Sequence, residues 1–399
     1  MFVARLRLVN FRSYHDATVE FAPGLNVIVG RNASGKTNLL EGAWFALRAS
    51  SPRTTKDDKA VRWGAGFARA EAAVALREGA DLHGFTVAYA PGQAKQVRVD
   101  GTDVTSLDEL RRHGAVFIFV PESLLLVKGS PARRRAHLDA FAAGVDLGYE
   151  AGLRDLNVVL KQRNAQLWRV REGAAADTLD AWDRQLARVA LAFEGRRRTI
   201  VARLSAGYRD FAAALAPDGG EFSVSLVSQL DELPGADEAG EEAFVAALRA
   251  RRGGEIGRAV SGFGPHRDDL RFAEEQARLP DGGAAPRDLR LFGSQGEQRA
   301  AVLALLLAER AVAAELTGDL GTLLLDDVMS ELDDARRRLL VGALTAGGQA
   351  IITTTNRLYF TADELASAKV IELTGGAEEG DAPASAADSG DSDTEELDG

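Results

Sequence analysis

The stretch "GRNASGKT", Gly30 to Thr37, restricts what this chain can fold into more than any other. It fits the pattern G-x-x-x-x-G-K-[ST]. It stands between an apolar run, "LNVIV" (25–29), and a helical pattern holding Leu39, Leu40, Trp44 and Leu47. A buried strand, a glycine-bent loop and a helix in that order form a phosphate cradle. Glycine lets the backbone turn its N–H groups inward around the phosphates, Lys36 reaches the terminal phosphates, and the Thr37 hydroxyl ligates magnesium. Gly30, Arg31, Asn32, Ala33, Ser34, Gly35, Lys36, Thr37 and Asn38 are therefore expected to bind ATP with Mg2+. A continuous apolar strand of this kind belongs in a parallel sheet covered on both faces, so the expected class is α/β.

Such a loop needs an acid at the end of a neighbouring strand, and "TLLLDDV" (322–328) supplies two. Asp326 is expected to hold magnesium through water, and Asp327 to take the proton of the attacking water as general base. A third feature is "FGSQGEQR" (292–299), a polar, glycine-bent turn opening directly into the apolar run Ala300 to Ala308. A helix start offers unpaired N–H groups and the positive end of a dipole, which attract an anion. Ser294 is also a natural helix cap, and capping needs no ligand. The order along the chain is phosphate loop, long insertion, serine–glycine turn, acid pair, then "SELDD". That order resembles ATP-binding-cassette (ABC) heads. The resemblance implies that Ser294 and Gly296 cap the γ-phosphate held by a second copy, so that Lys36, Asp327 and Ser294 form the catalytic set.

Around these motifs the chain reads as several units. Phe2, Ala4, Leu6 and Leu8 alternate with Arg5 and Arg7 as a half-buried strand does, and residues 70–104 read as an antiparallel meander. "AVFIFV" (115–120) is a further buried strand. From 131 to 217 the pattern turns helical. Leu153, Leu156, Leu160, Leu167 and Val170 fall on heptad spacing, as do Leu179, Trp182, Leu186, Val189 and Phe193, with "REGAAAD" as a turn between them. This reads as a short antiparallel helical hairpin with arms of roughly 25–30 Å; two ordinary core helices would give the same spacing. The expected division is residues 1–129 and 261–375 in an ATPase lobe with an antiparallel β subdomain, and 130–260 in a mostly helical second lobe. Residues 376–399 are expected to be a disordered acidic tail, since their composition cannot repay the entropy of ordering.

The net charge of −11 argues against nucleic acid only until the tail is set apart. From Ala377 onward there are nine Asp/Glu and no Lys/Arg, so the rest of the chain carries −2 and leaves room for basic patches. With no cysteine there is no disulfide, thiolate metal site or cysteine nucleophile. Arg5 and Arg7 stand where an export signal would need an apolar core, and no apolar run approaches membrane-spanning length, so a soluble, cytoplasmic protein is expected. The five histidines show no ligand spacing, and His266 gains no role from the sequence.

With these motifs in place, the chain resembles the RecF family of bacterial recombination-repair ATPases, relatives of the SMC-type cassette heads. The likeness is carried by "NFRSY" (10–14), "GRNASGKTN", "PESLLLVKGSPARRR" (121–135), "LKQRN" (160–164), "GFGPHRDDL" (262–270), "SQGEQR", "LLLDDVMSELD" and "ITTT". It implies an ATP-dependent homodimer that clamps double-stranded or gapped DNA, including junctions of single and double strand. Mediator partners of the RecO and RecR type would then promote recombinase loading. It also places Arg12 near the nucleotide and Asp333 across the dimer interface. Thr355 stands where many cassette proteins carry histidine, and Asp327 where transporters keep glutamate; the resemblance therefore implies a slow, DNA-stimulated ATPase acting as a binding switch. The competing readings, a transporter motor domain or another SMC-like DNA-organising ATPase, share the loop and acid pair, but a transporter motor would show "LSGGQ" and a switch histidine. For DNA the candidates are Arg53, Lys56, Arg62, Lys128, Arg133 and Arg134, each of which also fits a solvated surface charge.

Overall fold

Alternation near the N-terminus and continuous apolar runs elsewhere produce two different kinds of sheet. The computed structural model describes residues 1–373 except 78, 105–109, 111–112, 217–219, 236 and 279–282, so the expected acidic tail lies outside the described residues. Strands β1 (Phe2–Phe11), β2 (Tyr14–Glu20), β4 (Ala68–Ala75), β5 (Leu82–Tyr89), β6 (Gln96–Val99) and β7 (Thr102–Asp103) form an antiparallel sheet in the order β2-β1-β4-β5-β6-β7. Strands β3 (Leu25–Gly30), β8 (Val116–Phe119), β12 (Thr322–Leu325), β13 (Gln349–Thr354) and β14 (Lys369–Leu373) form a parallel sheet in the order β14-β3-β13-β12-β8. The strand that feeds the glycine-rich loop is thus separated by β13 from the strand that ends in the acid pair.

Successive strand residues point to opposite faces, and the parallel strands are buried on both. Val27, Phe119, Leu325 and Ile352 face a helical layer; Ile28, Ile118, Leu324 and Ile351 face helix α1 (Lys36–Arg48) and the antiparallel sheet. Helix α1 lies close on β1: a side chain at Gly42 would meet the Leu8 Cδ2 atom at 2.5 Å. The small residues Ala68, Ala70 and Ala72 line the same core.

The helical layer contains α2 (Pro131–Val145), α3 (Leu147–Arg171), α4 (Leu179–Leu215), α5 (Glu238–Arg258) and α6 (Gln295–Thr317), counting helices longer than two turns. Helices α3 and α4 pair as an antiparallel hairpin through an exposed turn at 172–178. The arms are longer than the spacing suggested. Helix α4 has 37 residues, roughly 55 Å. Its second half, with Ile200, Leu204, Tyr208 and Leu215, continues past the tip pairing and packs on α6 in the main core. A small antiparallel sheet, β11-β10-β9 (Ala284–Asp288, Asp269–Arg278, Phe222–Val227), was not foreseen. No helix among the described residues is long and apolar enough to cross a membrane.

Candidate functional site

Strand β3 ends at Gly30, and the loop to α1 needs glycine at both of its fixed positions. A Cβ at Gly30 would lie 2.5 Å from the Ser34 Oγ, and Gly35 has φ +96 against the Tyr14 hydroxyl. Ala33 also has a positive φ, of 64. With Arg31, Asn32 and Ser34 these residues form the curl expected of a phosphate cradle. Lys36 is buried; its Nζ donates to the Gly30 carbonyl at 2.7 Å and the Arg31 carbonyl at 2.9 Å. Burial holds the Lys36 ammonium below the usual lysine range, with the charges of Asp327 and Asp326 working in the opposite direction.

The acid pair closes onto this loop. The Thr37 hydroxyl donates to Asp326 Oδ2 at 2.7 Å, and the Thr353 hydroxyl donates to Asp326 Oδ1 at 2.7 Å. The Asp327 amide donates to the Thr353 Oγ1 at 3.0 Å. Asp327 itself has a left-handed backbone, φ 45, and its Oδ1 is buried without a hydrogen-bond partner. Burial raises the Asp327 carboxyl above the ordinary aspartate value; Asp326 and Glu331 add to this, while Ser330 and Lys36 pull it down. The orphaned Ser34 Oγ and Asp327 Oδ1 fit a site built for a polar guest. A hydroxyl and a carboxylate 2.7 Å apart are the donor set for an oxygen-loving divalent cation.

Around the mouth, the turn between β1 and β2 carries Arg12, whose backbone is also left-handed. Its guanidinium makes a bidentate pair with the fully buried Glu41 of α1, at 2.9 and 2.5 Å. Asn38 donates to the Ser13 Oγ at 2.9 Å, and the Tyr14 hydroxyl donates to the Gly35 carbonyl at 3.1 Å. Arg53 belongs to the same cluster. It donates to Glu41 at 3.1 Å, Asn38 Oδ1 at 3.3 Å and Glu122 at 3.3 Å, so its side chain, still partly exposed, is held at the mouth of the loop. Arg134 leaves the expected DNA face: it is buried and doubly bonded to Asp269 at 2.6 and 2.8 Å. Lys56, Arg62, Lys128 and Arg133 form no ion pair among the described residues, and all but the half-buried Arg62 are exposed.

The serine–glycine turn stands apart from this cluster. Ser294 caps α6: its Oγ accepts from the Glu297 amide at 3.2 Å, and Glu297 in return accepts from the Ser294 amide at 2.7 Å. Nothing lies within 4 Å of a Cβ built on Gly296, and Leu291 and Phe292 just before the turn are each 67% exposed. Among the described residues, none of the Ser294 hydrogen bonds reaches Gly30–Thr37 or Asp326. Asp333, exposed, caps helix α7 (Asp334–Thr345) by accepting from the Arg336 amide at 2.9 Å. One copy of the chain therefore brings together Arg12, Gly30–Asn38, Asp326 and Asp327, and leaves Ser294, Gly296 and Asp333 facing outward.

Two groups of residues escaped the sequence reading. Thr353 and Glu41 orient the acid pair and Arg12; the run "ITTT" held the first signal, and nothing marked the second. The "GFGPHRDDL" stretch is a knot that ties the helical hairpin to the core. Fully buried Arg197 donates to the Pro265 carbonyl at 2.6 Å, Asp268 at 2.8 Å, Asp139 at 2.7 Å and the Tyr149 hydroxyl at 3.1 Å. Arg163, with no exposed surface, pairs with Asp183 and Glu255 at 2.7 Å each and with the Ser261 hydroxyl at 2.8 Å. His266 bonds the Ser261 carbonyl at 3.0 Å through Nε2, its Nδ1 is buried without a partner, and burial holds its pKa below the ordinary histidine value. No cluster of three or more metal-ligating side chains occurs among the described residues.

Comparison with known proteins agrees with this geometry. The RecF/RecN/SMC N-terminal domain family matches residues 2–372. The DNA replication and repair protein RecF of Heliobacterium modesticaldum is 35% identical over 378 residues, covering 94% of this chain and 98% of that one. The corresponding protein of Symbiobacterium thermophilum is 37% identical over 361 residues, covering 89% and 92%. A solved structure of the recombination mediator protein RecF with ATP, in the RecFOR pathway, aligns with a TM-score of 0.76 at 27% identity over 89% of this chain and 92% of that one. An SMC head bound to the winged-helix domain of ScpA aligns over 90% of this chain with a TM-score of 0.53 at 15% identity, a likeness of fold alone.

Proposed function

The chain belongs to the RecF family, an ABC-type ATPase head, and from that premise we propose that it is an ATP-switched DNA-binding protein of recombinational repair. The observation that carries the reading is a site divided in two. The phosphate loop, Asp326, Asp327 and Thr353 converge within one chain, while Ser294 and Gly296 stand exposed with no hydrogen bond to them. An exposed N-terminal helix turn suits the γ-phosphate of ATP held by a second copy, and two such copies sandwich two nucleotides. The half-sites supply recognition separately and chemistry only together.

In the closed dimer, the loop amides and Lys36 bind the phosphates and Arg12 holds the nucleotide edge. Thr37 and Asp326 would hold magnesium, which supplies charge neutralisation on the phosphate oxygens. Asp327, placed by the Thr353 hydroxyl, takes the proton of the attacking water. A one-carbon-shorter base than glutamate suits slow turnover, so ATP closes the clamp on duplex or gapped DNA and hydrolysis opens it. Residues 130–260 are the mostly helical second lobe of this reading. The RecFOR pathway named for the solved relatives supports partners of the RecO and RecR type, acting on the chromosome in the cytoplasm.

Ser294→Arg tests the sandwich. The substitution places a bulky cation at the outward-facing turn and leaves the chain's own ATP pocket untouched. The expected result in sedimentation with ATP and Mg2+ is near-normal ATP affinity with dimer and turnover both lost. A normal dimer from this variant sinks the proposal; a Ser294 that is only a helix cap would cost about 1 kcal/mol of stability and spare the dimer.

A further inference from the structure

Trp63 is 98% exposed, more than any other large apolar side chain among the described residues. Its turn is nonetheless held firmly from below. The Arg62 amide donates to the Asn10 carbonyl at 2.8 Å, the Arg12 amide to the Ala60 carbonyl at 2.8 Å, and Val61 forms a β-bridge with Phe11. The Ala65 amide closes the turn on the Arg62 carbonyl at 2.9 Å. Beyond the ring, Gly64 (φ +81) and Gly66 have nothing within 4 Å of a Cβ position. The fold thus lifts a bare indole into water on a braced support.

The charges around it are sorted. Asp57 is neutralised by Lys95 at 2.8 Å, and Asp58 accepts from the Tyr89 hydroxyl at 2.5 Å. Lys56, Lys59 and Arg62, on the same segment, form no ion pair among the described residues. An exposed π-face on the same short segment as three cations without ion pairs is the combination that binds a nucleic-acid strand with unstacked bases: the ring takes a base, the cations take the phosphates. A fully paired duplex offers the phosphates but keeps its bases stacked on one another. We propose that Trp63 stacks on an unpaired base at the boundary of single- and double-stranded DNA, with Lys56, Lys59 and Arg62 on the flanking phosphates; this rests on the DNA-binding reading above. The same support leads to the nucleotide. Arg12, Ser13 and Tyr14 follow directly from the strand that braces the turn, and they touch Glu41, Asn38 and Gly35 of the phosphate-loop region. A base seated on Trp63 therefore bears on the ATP pocket through a few hydrogen-bonded residues.

The test uses the full chain with ATP and Mg2+ and two DNAs whose ends are closed by hairpins. One is a continuous duplex; the other carries a short gap with 2-aminopurine as its first unpaired base. The wild type is expected to bind the gapped DNA more tightly and to quench the 2-aminopurine. Trp63→Ala should lose about 5- to 100-fold on the gapped DNA, with affinity for the continuous duplex and the KM for ATP without DNA unchanged. Trp63→Phe should keep most of the preference. Because the ring is almost wholly in solvent, neither change threatens folding. Three outcomes overturn the proposal: a wild type that binds both DNAs equally, a Trp63→Ala protein with undiminished gap preference, or a raised KM for ATP in that variant (adenine, not DNA, on the ring). A wild type that binds neither DNA removes the DNA-binding reading itself.

Discussion

Asp327 sits in a left-handed backbone conformation that a non-glycine residue adopts at a cost, and Thr353 holds it there by its amide. The Asp327 Oδ1 is left buried without a hydrogen-bond partner, while both Asp326 oxygens are taken by Thr37 and Thr353. Asp327→Asn keeps the shape and removes the base. ATP binding and the ATP-dependent dimer should survive, while turnover falls by about 10²–10⁴-fold; single-turnover hydrolysis at the wild-type rate would move the base elsewhere. At this scale the sequence was readable wherever chemistry is contiguous. Gly30–Asn38 and the Asp326–Asp327 pair announce themselves because neighbours in the chain are neighbours in the site. The roles of Thr353 and Glu41 could not be read, although the run "ITTT" marked the first, because only the fold brings Asp326 to Thr353 and Arg12 to Glu41. Arg134 was misread for the mirror-image reason: a positive charge in a helix start says nothing of Asp269, which neutralises it from 135 positions away.

Among the elements, α4 shows how pattern and partner differ as sources of information. Its tip announced itself by heptad spacing up to Phe193, but the helix runs on through Arg196–Arg198 to Leu215. Arg197 is interior because Asp139 and Asp268 are there to receive it. Glu194, one turn before, pays for that arrangement. Burial first, then the Asp268 carboxylate, push its carboxyl up to about 7, although Arg198 pulls it down. A carboxyl with a folded pKa above its unfolded value of 4.5 adds stability at low pH that is lost as pH rises through about 7. Glu194→Gln removes the titration. Its melting temperature should exceed that of the wild type at pH 8, and the gap should close toward pH 5. A gap independent of pH would show that Glu194 is charged throughout.

For the molecule as a whole, charge is distributed so that the acid is concentrated at one end. Nine Asp/Glu lie from Ala377 onward, against −2 for everything before. Deleting 377–399 should leave ATP turnover unchanged and tighten DNA binding at low salt, with the difference shrinking as salt screens it; loss of turnover would give the tail a role in the ATPase. The sequence disclosed the two kinds of sheet from their periodicities, but not how they are threaded, since pairing across 300 residues leaves no local mark. That threading has a consequence during synthesis. Among the described residues, strand β3, which carries the phosphate loop, pairs with β13 and β14 alone, and the acid pair follows β12. A chain emerging from the ribosome can build its antiparallel sheet early, yet the strand that carries its phosphate loop has no sheet partner until translation passes Gln349. Products cut short by a stop codon or a protease before that point lack a nucleotide pocket. Both sheet partners of the loop's strand are thus among the last strands to be made, and the site is completed only near the end of synthesis.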